Sequence, residues 1–414
     1  MRARRVVITG LGAVTSLGHS VPPMWKALCE GRSGIRKLTS FDPARYTSQI
    51  ASEVTDFDPA KWIDVREARR MERFCWFAAA AAEEATRDSG IDFTREDLTR
   101  CGVIVGSGIG GIMEMETQHR RLLEKGPDRV SPFLIPKLMI NAAPGIISIR
   151  YGLQGPNSAT VTACSSGTHA LGEALRAIQH GEAEVMIAGG TEAAITPLGV
   201  AGFCTMKALS TRNDSPAQAS RPFEKDRDGF VIGEGAGIAV LEELEHARKR
   251  GADIYGEFLG FSRTGDGFHI TQPDPGGRGA ALAMRRALED AGKNTDELSY
   301  INAHGTSTPL NDVMESHAIR RALGPAADRV PVSSTKSMLG HLLGAAGGVE
   351  FVIMALCVRH NIVPPTINYD TPDPECDLDF VPNVAREVKV DLALSNTLGF
   401  GGHNSTLVVG KFAG

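Results

Sequence analysis

Residues 161–190, VTACSSGTHALGEALRAIQHGEAEVMIAGG, decide how the fold is read. A strand-like run ends in small residues at Ala163, a helical pattern covers His169 to His180, and Val185 to Gly190 forms an apolar strand closed by two glycines. Strand, helix and strand separated by a few residues is the unit from which parallel sheets are built. The same alternation continues outward. Towards the N-terminus, VVITG (6–10) and GVIVG (102–106) read as strands, with a helical pattern over Arg66 to Asp88. Towards the C-terminus, strand patterns at 255–262, 300–303, 330–334, 392–396 and 405–409 alternate with helical patterns at 279–291, 312–323 and 342–358. The alternation runs twice, with the charged segment EELEHARKRG (242–251) between the runs and no low-complexity linker. These features predict an α/β protein of two similar halves sharing one packed body.

Composition narrows the function classes. With 42% hydrophobic and 22% charged residues, the chain is neither disordered nor collagenous. A net charge of -5 gives no general attraction to nucleic acid or to an anionic membrane, so a polyanionic partner needs a local basic patch. Seven cysteines without a CxxC pair argue against a disulfide framework or a common zinc site and fit a reducing cytoplasm. The segment MRARRVVITGLGAV imitates a signal peptide, but Thr9, Gly10 and Gly12 interrupt its apolar core, so a buried strand is predicted there. The longest apolar run, around Phe74 to Ala82, is too short to span a membrane. The expectation is a soluble cytoplasmic protein with no nucleic-acid or membrane partner and no metal.

Four segments could carry chemistry. Cys164 stands at a strand-to-helix turn, where helix amides favour a thiolate and can hold an oxyanion, as acyl transfer through a thioester requires; a small buried cysteine fits the same position. NAHGTSTP (302–309) and SSTKSMLGHLLGAAG (333–347) each place a histidine, His304 and His341, in a loop of small residues, and Lys336 adds a cation. Loop histidines are often merely structural, yet thiol, two imidazoles and ammonium together make a nucleophile, two oxyanion-stabilising groups and an electrostatic tuner. In SNTLGFGGHN (395–404), Phe400 among glycines reads either as a mobile gate or as a buried anchor in a turn.

Taken together, these four ordered segments resemble β-ketoacyl-acyl-carrier-protein synthases of the synthase II type, from VVITGLG at residue 6 to NSTLVV near 409. The resemblance implies the thiolase fold, two βαβαβαββ-like halves in a five-layered α-β-α-β-α arrangement, divided as 1–252 and 253–414. It implies that Cys164 accepts the acyl group, that His304 and His341 assist decarboxylation, and that Lys336 supports His341, with Glu350 as the acidic residue near the lysine. The Phe400 and Cys164 backbone N–H groups would form the oxyanion hole, with Phe400 as gate. Thr306 and Thr308 would meet a phosphopantetheine arm, while Ile109 and Phe203 would line the acyl tunnel. No separate cofactor is implied, because phosphopantetheine arrives on the acyl carrier protein; a homodimer is. His403 stands where many relatives carry Thr, and Asp128 stands beside Arg129 where two basic residues are common.

Carrier proteins are acidic, and a basic patch is legible: Arg66, Arg69, Arg70 and Arg73 fall at i, i+3, i+4 and i+7, one face if residues 62–80 are helical. A solvated face with scattered ion pairs is the alternative. By resemblance, Arg129 and Lys207 would join the patch. Two rivals remain. GSGIGG (106–111) satisfies the dinucleotide-binding spacing, but the expected ribose-binding acid, Glu124, falls in a helix-like charged run. A non-catalytic partner subunit would lack the thiol that Cys164 supplies.

Overall fold

The computed structural model of the protein describes residues 4–414. Ten strands make the main sheet: β1 (Val6–Val14), β2 (Cys101–Gly106), β3 (Asn157–Thr160), β4 (Val185–Glu192), β5 (Gly235–Glu243), β6 (Gly256–Gly265), β7 (Tyr300–Asn302), β8 (Val332–Ser333), β9 (Leu392–Gly399) and β10 (His403–Gly410). Their order is β8-β7-β9-β10-β6-β1-β5-β4-β2-β3. Read from the β1/β6 seam, each half has its first, fifth, fourth, second and third strand in turn. Directions repeat as well: antiparallel at β1–β5, β5–β4, β6–β10 and β10–β9, parallel at β4–β2, β2–β3, β9–β7 and β7–β8. The duplication is therefore topological. Only Val7 and Ile8 pair across the seam, with Glu257 and Gly256.

The helices that matter are α1 (Arg73–Ser89), α2 (Ala142–Tyr151), α3 (Ser166–Gln179), α4 (Arg278–Asp290), α5 (Pro309–Leu323) and α6 (Ala346–His360). Both α3 and α6 touch strands of both halves and each other, so they form the middle layer. On one outer face α1 packs on β1 and β5 and α2 on β2; on the other, α4 packs on β6 and β10, with α5 against α4. This is the five-layered thiolase fold. One core cluster runs through the middle layer, and one lies under each outer layer. The centre is tight: a Cβ on Gly348 of α6 would sit 2.3 Å from the Gly237 carbonyl oxygen of β5.

Three expectations change. The sheet is mixed rather than parallel, because β9 and β10 are joined by the short turn Phe400–Gly402, which permits only an antiparallel hairpin. The longest apolar helical stretch is not Phe74–Ala82 but Leu343–His360, long and apolar enough to cross a membrane; 89% of it is buried as the central core helix. The segment 62–80 is not one helix. A single turn at Val65–Ala68 is followed by α1 from Arg73, because Glu72 turns extended and caps α1 by accepting from the Phe74 N–H at 3.0 Å. Elsewhere β1 is the buried strand expected at the N-terminus, and every cysteine among the described residues is free.

Candidate active site

Cys164 lies between β3 and α3 in a turn drawn tight by the Ser165 N–H to the Thr162 carbonyl (3.1 Å) and the Ser166 hydroxyl to the Ala163 carbonyl (2.7 Å). Ala163 takes a left-handed φ of 51°. His304 follows β7, and His341 follows the short helix Lys336–Leu339; near them Ser307 and Leu343 have φ of 67° and 50°. Strained non-glycine residues thus stand close in sequence to each reactive group, as expected where the surrounding structure enforces a geometry.

The three reactive groups converge. His341 Nε2 is 3.0 Å from Cys164 Sγ, and the Leu343 N–H donates to His341 Nδ1 at 3.3 Å. With Nδ1 accepting, the proton sits on Nε2 and points at sulfur. His304 meets His341 edge-on, ring centres 5.2 Å apart, and its Nδ1 is buried without a partner. The His304 and Gly305 N–H groups are held by the buried Glu315 carboxylate at 2.8 and 2.7 Å. Lys336 is ion-paired with Glu350 of α6.

Burial governs the electrostatics. It pushes the Cys164 thiol up to about 12, against the opposing pull of Lys336 and the Phe400 N–H. The helix start therefore does not deliver a free thiolate, contrary to the sequence expectation, because desolvation of a buried anion outweighs the favourable amides and ammonium. Both imidazoles are held well below their ordinary range, first by burial and then by Lys336, so both stay neutral at neutral pH. The thiol and imidazole donor atoms lie within 4.8 Å of one another, close enough to bracket a metal ion. Lys336 opposes a divalent cation there, and hydrogen-bond donation to a developing oxyanion suits the set better.

Phe400 sits half-buried in the turn between β9 and β10. The chain passes so close to the nucleophile that a Cβ on Gly399 would lie 2.8 Å from the Thr162 carbonyl oxygen and 3.3 Å from the Cys164 nitrogen. The turn is tied to the 266–274 loop by Gly401 N–H to the Ile270 carbonyl (2.6 Å) and Asn404 Nδ2 to Asp266 Oδ1 (2.6 Å).

A cavity of about 610 Å³ opens on Cys164, His304, His341 and Phe400. Ile109, Phe203, Thr306, Thr308 and Lys207 also line it, the two threonine hydroxyls 2.9 Å apart. Glu350 does not reach the cavity, since it is buried against Lys336. Arg66, Arg69, Arg70 and Arg129 are exposed outside it, and Arg73 turns inward to Glu234 at 2.6 Å. Sequence reading missed Glu192, Glu315 and the Asp266–Asn404 contact. Only Glu192 leaves a local trace, an acid closing the apolar run VMIAGG.

A duplicated thiolase fold with a Cys-His-His cluster at the base of its cavity defines a condensing-enzyme architecture. The family models "Beta-ketoacyl synthase, N-terminal domain" and "Beta-ketoacyl synthase, C-terminal domain" match residues 3–247 and 255–370, and the chain belongs to the β-ketoacyl synthase family. It is 53% identical over 412 residues to a 3-oxoacyl-[acyl-carrier-protein] synthase 2 of Synechocystis sp., covering 100% of this chain and 99% of the relative. The same-named protein of Coxiella burnetii is 53% identical over 411 residues, covering 99% of each. Among solved structures, a β-ketoacyl synthase from Burkholderia phymatum superposes with a TM-score of 0.92 at 38% identity, covering 99% of this chain and 100% of that one. A type II polyketide acyl-carrier protein in complex with its ketosynthase gives 0.93 at 35% identity, with the same coverage.

Proposed function

We propose that this chain is an elongating condensing enzyme of fatty acid synthesis, a 3-oxoacyl-acyl-carrier-protein synthase II, in which Cys164 is the acyl acceptor. The observation that carries the reading is the 3.0 Å contact between His341 Nε2 and Cys164 Sγ, with His304 beside it, at the base of a cavity with apolar and hydroxyl walls. The acyl group passes from the carrier's sulfur to Cys164, and the thiol proton leaves with the carrier. Malonyl carrier protein then loses carbon dioxide, and its carbanion attacks the Cys164 thioester; the acyl–sulfur bond breaks, the Cys164 thiolate leaves and takes up a proton from solvent, and the product is a 3-oxoacyl carrier extended by two carbons. The Phe400 and Cys164 N–H groups hold the oxyanion during acyl transfer. His304 and His341, neutral and N–H-donating, stabilise the enolate of decarboxylation, and Lys336, paired with Glu350, tunes both. Ile109 and Phe203 receive the acyl end; Thr306 and Thr308 bind the pantetheine arm. The cycle needs no added cofactor.

The partner is an acyl carrier protein, docking on Arg66, Arg69, Arg70, Arg129 and Lys207. The protein works as a homodimer in the cytoplasm, its halves divided at 252/253. A polyketide role, the alternative already left open by the sequence, is the second reading and is supported by a polyketide ketosynthase neighbour; the 51–53% identity to synthases of the 3-oxoacyl type favours the first. Intact-mass measurement tests the assignment. Cys164→Ala should take up no acyl group from acyl carrier protein, while His304→Ala and His341→Ala should still acylate but fail to decarboxylate malonyl carrier. Acylation of the Cys164→Ala variant sinks the nucleophile, and loss of acylation with decarboxylation intact reverses the roles.

A further inference from the structure

The glycine loop GSGIGG (106–111) has an anion after all, but the anion belongs to the protein. Glu192, the last residue of β4 and fully buried, takes the Gly108 N–H at 2.7 Å, the Ile109 N–H at 3.1 Å, the Gly110 N–H at 3.3 Å and the Ser107 hydroxyl at 2.8 Å. Successive N–H groups of such a loop form an anion-binding concavity, here closed by a side chain of the neighbouring strand. A fifth donor comes from the other half: the Gly344 N–H reaches Glu192 Oε2 at 3.0 Å. Gly344 follows Leu343, whose N–H fixes the His341 tautomer. Among the described residues no Lys or Arg pairs with this carboxylate; four backbone amides and the Ser107 hydroxyl hold it.

We propose that Glu192 is a positioning residue whose carboxylate ties the acyl-pocket loop carrying Ile109 to the loop carrying His341, so that one group sets both the pocket wall and the imidazole aimed at Cys164. The two loops come from different halves of the chain, and both line the cavity together with Cys164. Five donors converge on two oxygens. A neutral amide in that place turns its own N–H₂ against some of them, leaving buried donors unpaired and loosening both loops. Burial is the main cause that raises the Cys164 thiol; Lys336 and the Phe400 N–H oppose it, and the Glu192 carboxylate adds a smaller push upward through space.

This inference rests on Cys164 being the nucleophile, and the experiment keeps the two apart. Iodoacetamide alkylation of Cys164, read by mass, reports on the thiol whether or not it accepts acyl groups. Glu192→Gln should alkylate roughly three- to tenfold faster at pH 8, as expected for a thiol relieved of a nearby anion, and should give a broader product chain-length distribution. A folded Glu192→Gln protein with the parent's alkylation rate and product profile overturns the proposal. Should that variant fail to fold, Ser107→Ala removes one donor and keeps the charge. It should leave alkylation unchanged and broaden the products; an unchanged product profile overturns the proposal equally.

Discussion

Desolvation sets the character of the nucleophile. Cys164 is surrounded by groups that favour a thiolate, yet its thiol is pushed up to about 12 because burial removes water from the anion. The sign follows directly: a thiol raised above its ordinary value gains thiolate as pH rises, about tenfold per pH unit while pH stays below the pKa. Alkylation of the unliganded enzyme should therefore climb log-linearly from pH 6 to 9 without a plateau, followed by mass spectrometry. A plateau near pH 7 would mean that Lys336 and the amides outweigh burial. The site was largely legible at this scale, because Cys164, His304, Lys336, His341 and Phe400 each sit in a short segment whose chemistry shows locally. Glu192 was not. Its partners lie 84 and 152 residues away at Gly108 and Gly344, and no local pattern encodes a contact across two halves.

Periodicity at the scale of elements recovered most strands and helices but failed where a single side chain breaks a pattern. Arg66, Arg69, Arg70 and Arg73 keep helical spacing, yet Glu72 ends the continuity, and Arg73 becomes the first residue of α1. Its guanidinium holds Glu234 through two bonds of 2.9 and 2.6 Å, bonds the Val54 carbonyl at 2.6 Å and lies over the Phe77 ring at 4.7 Å. The four arginines thus separate into one structural residue and three exposed ones, which divides their variants cleanly. Arg73→Ala leaves the buried Glu234 carboxylate without its cation and should lower stability by about 2 to 4 kcal/mol in denaturant titration. Arg69→Glu with Arg70→Glu should keep the parent melting temperature and raise KM for carrier-bound substrate several-fold. That effect should shrink with salt and be smaller on pantetheine thioesters, as electrostatic steering requires. Equal losses on both substrates would make the patch structural.

Duplication gives the whole molecule two equivalent sheet edges, β3 and β8, and the chain treats them differently. The β8 edge is buried, with the Val332 N–H bonded to the Asp379 carbonyl at 2.8 Å and the following Ser334 N–H to Thr366 Oγ1 at 3.0 Å. No strand of the described residues pairs with the outer edge of β3, whose first two residues are exposed. Beside it stand Ile149, 83% exposed, and Val161, 53% exposed. An open strand edge flanked by exposed apolar side chains is a template for pairing with another chain, and a symmetric pairing of two such edges closes on itself. Val161 precedes Cys164 by three residues, so the proposed homodimer, formed through this edge, would also brace the nucleophile turn. Ile149→Glu combined with Val161→Glu should halve the mass seen by light scattering and sharply reduce acylation of Cys164, since the turn loses its outer support. A doubly substituted protein that scatters at the parent's mass, or a parent that is monomeric at micromolar concentration, would place the interface elsewhere or remove it.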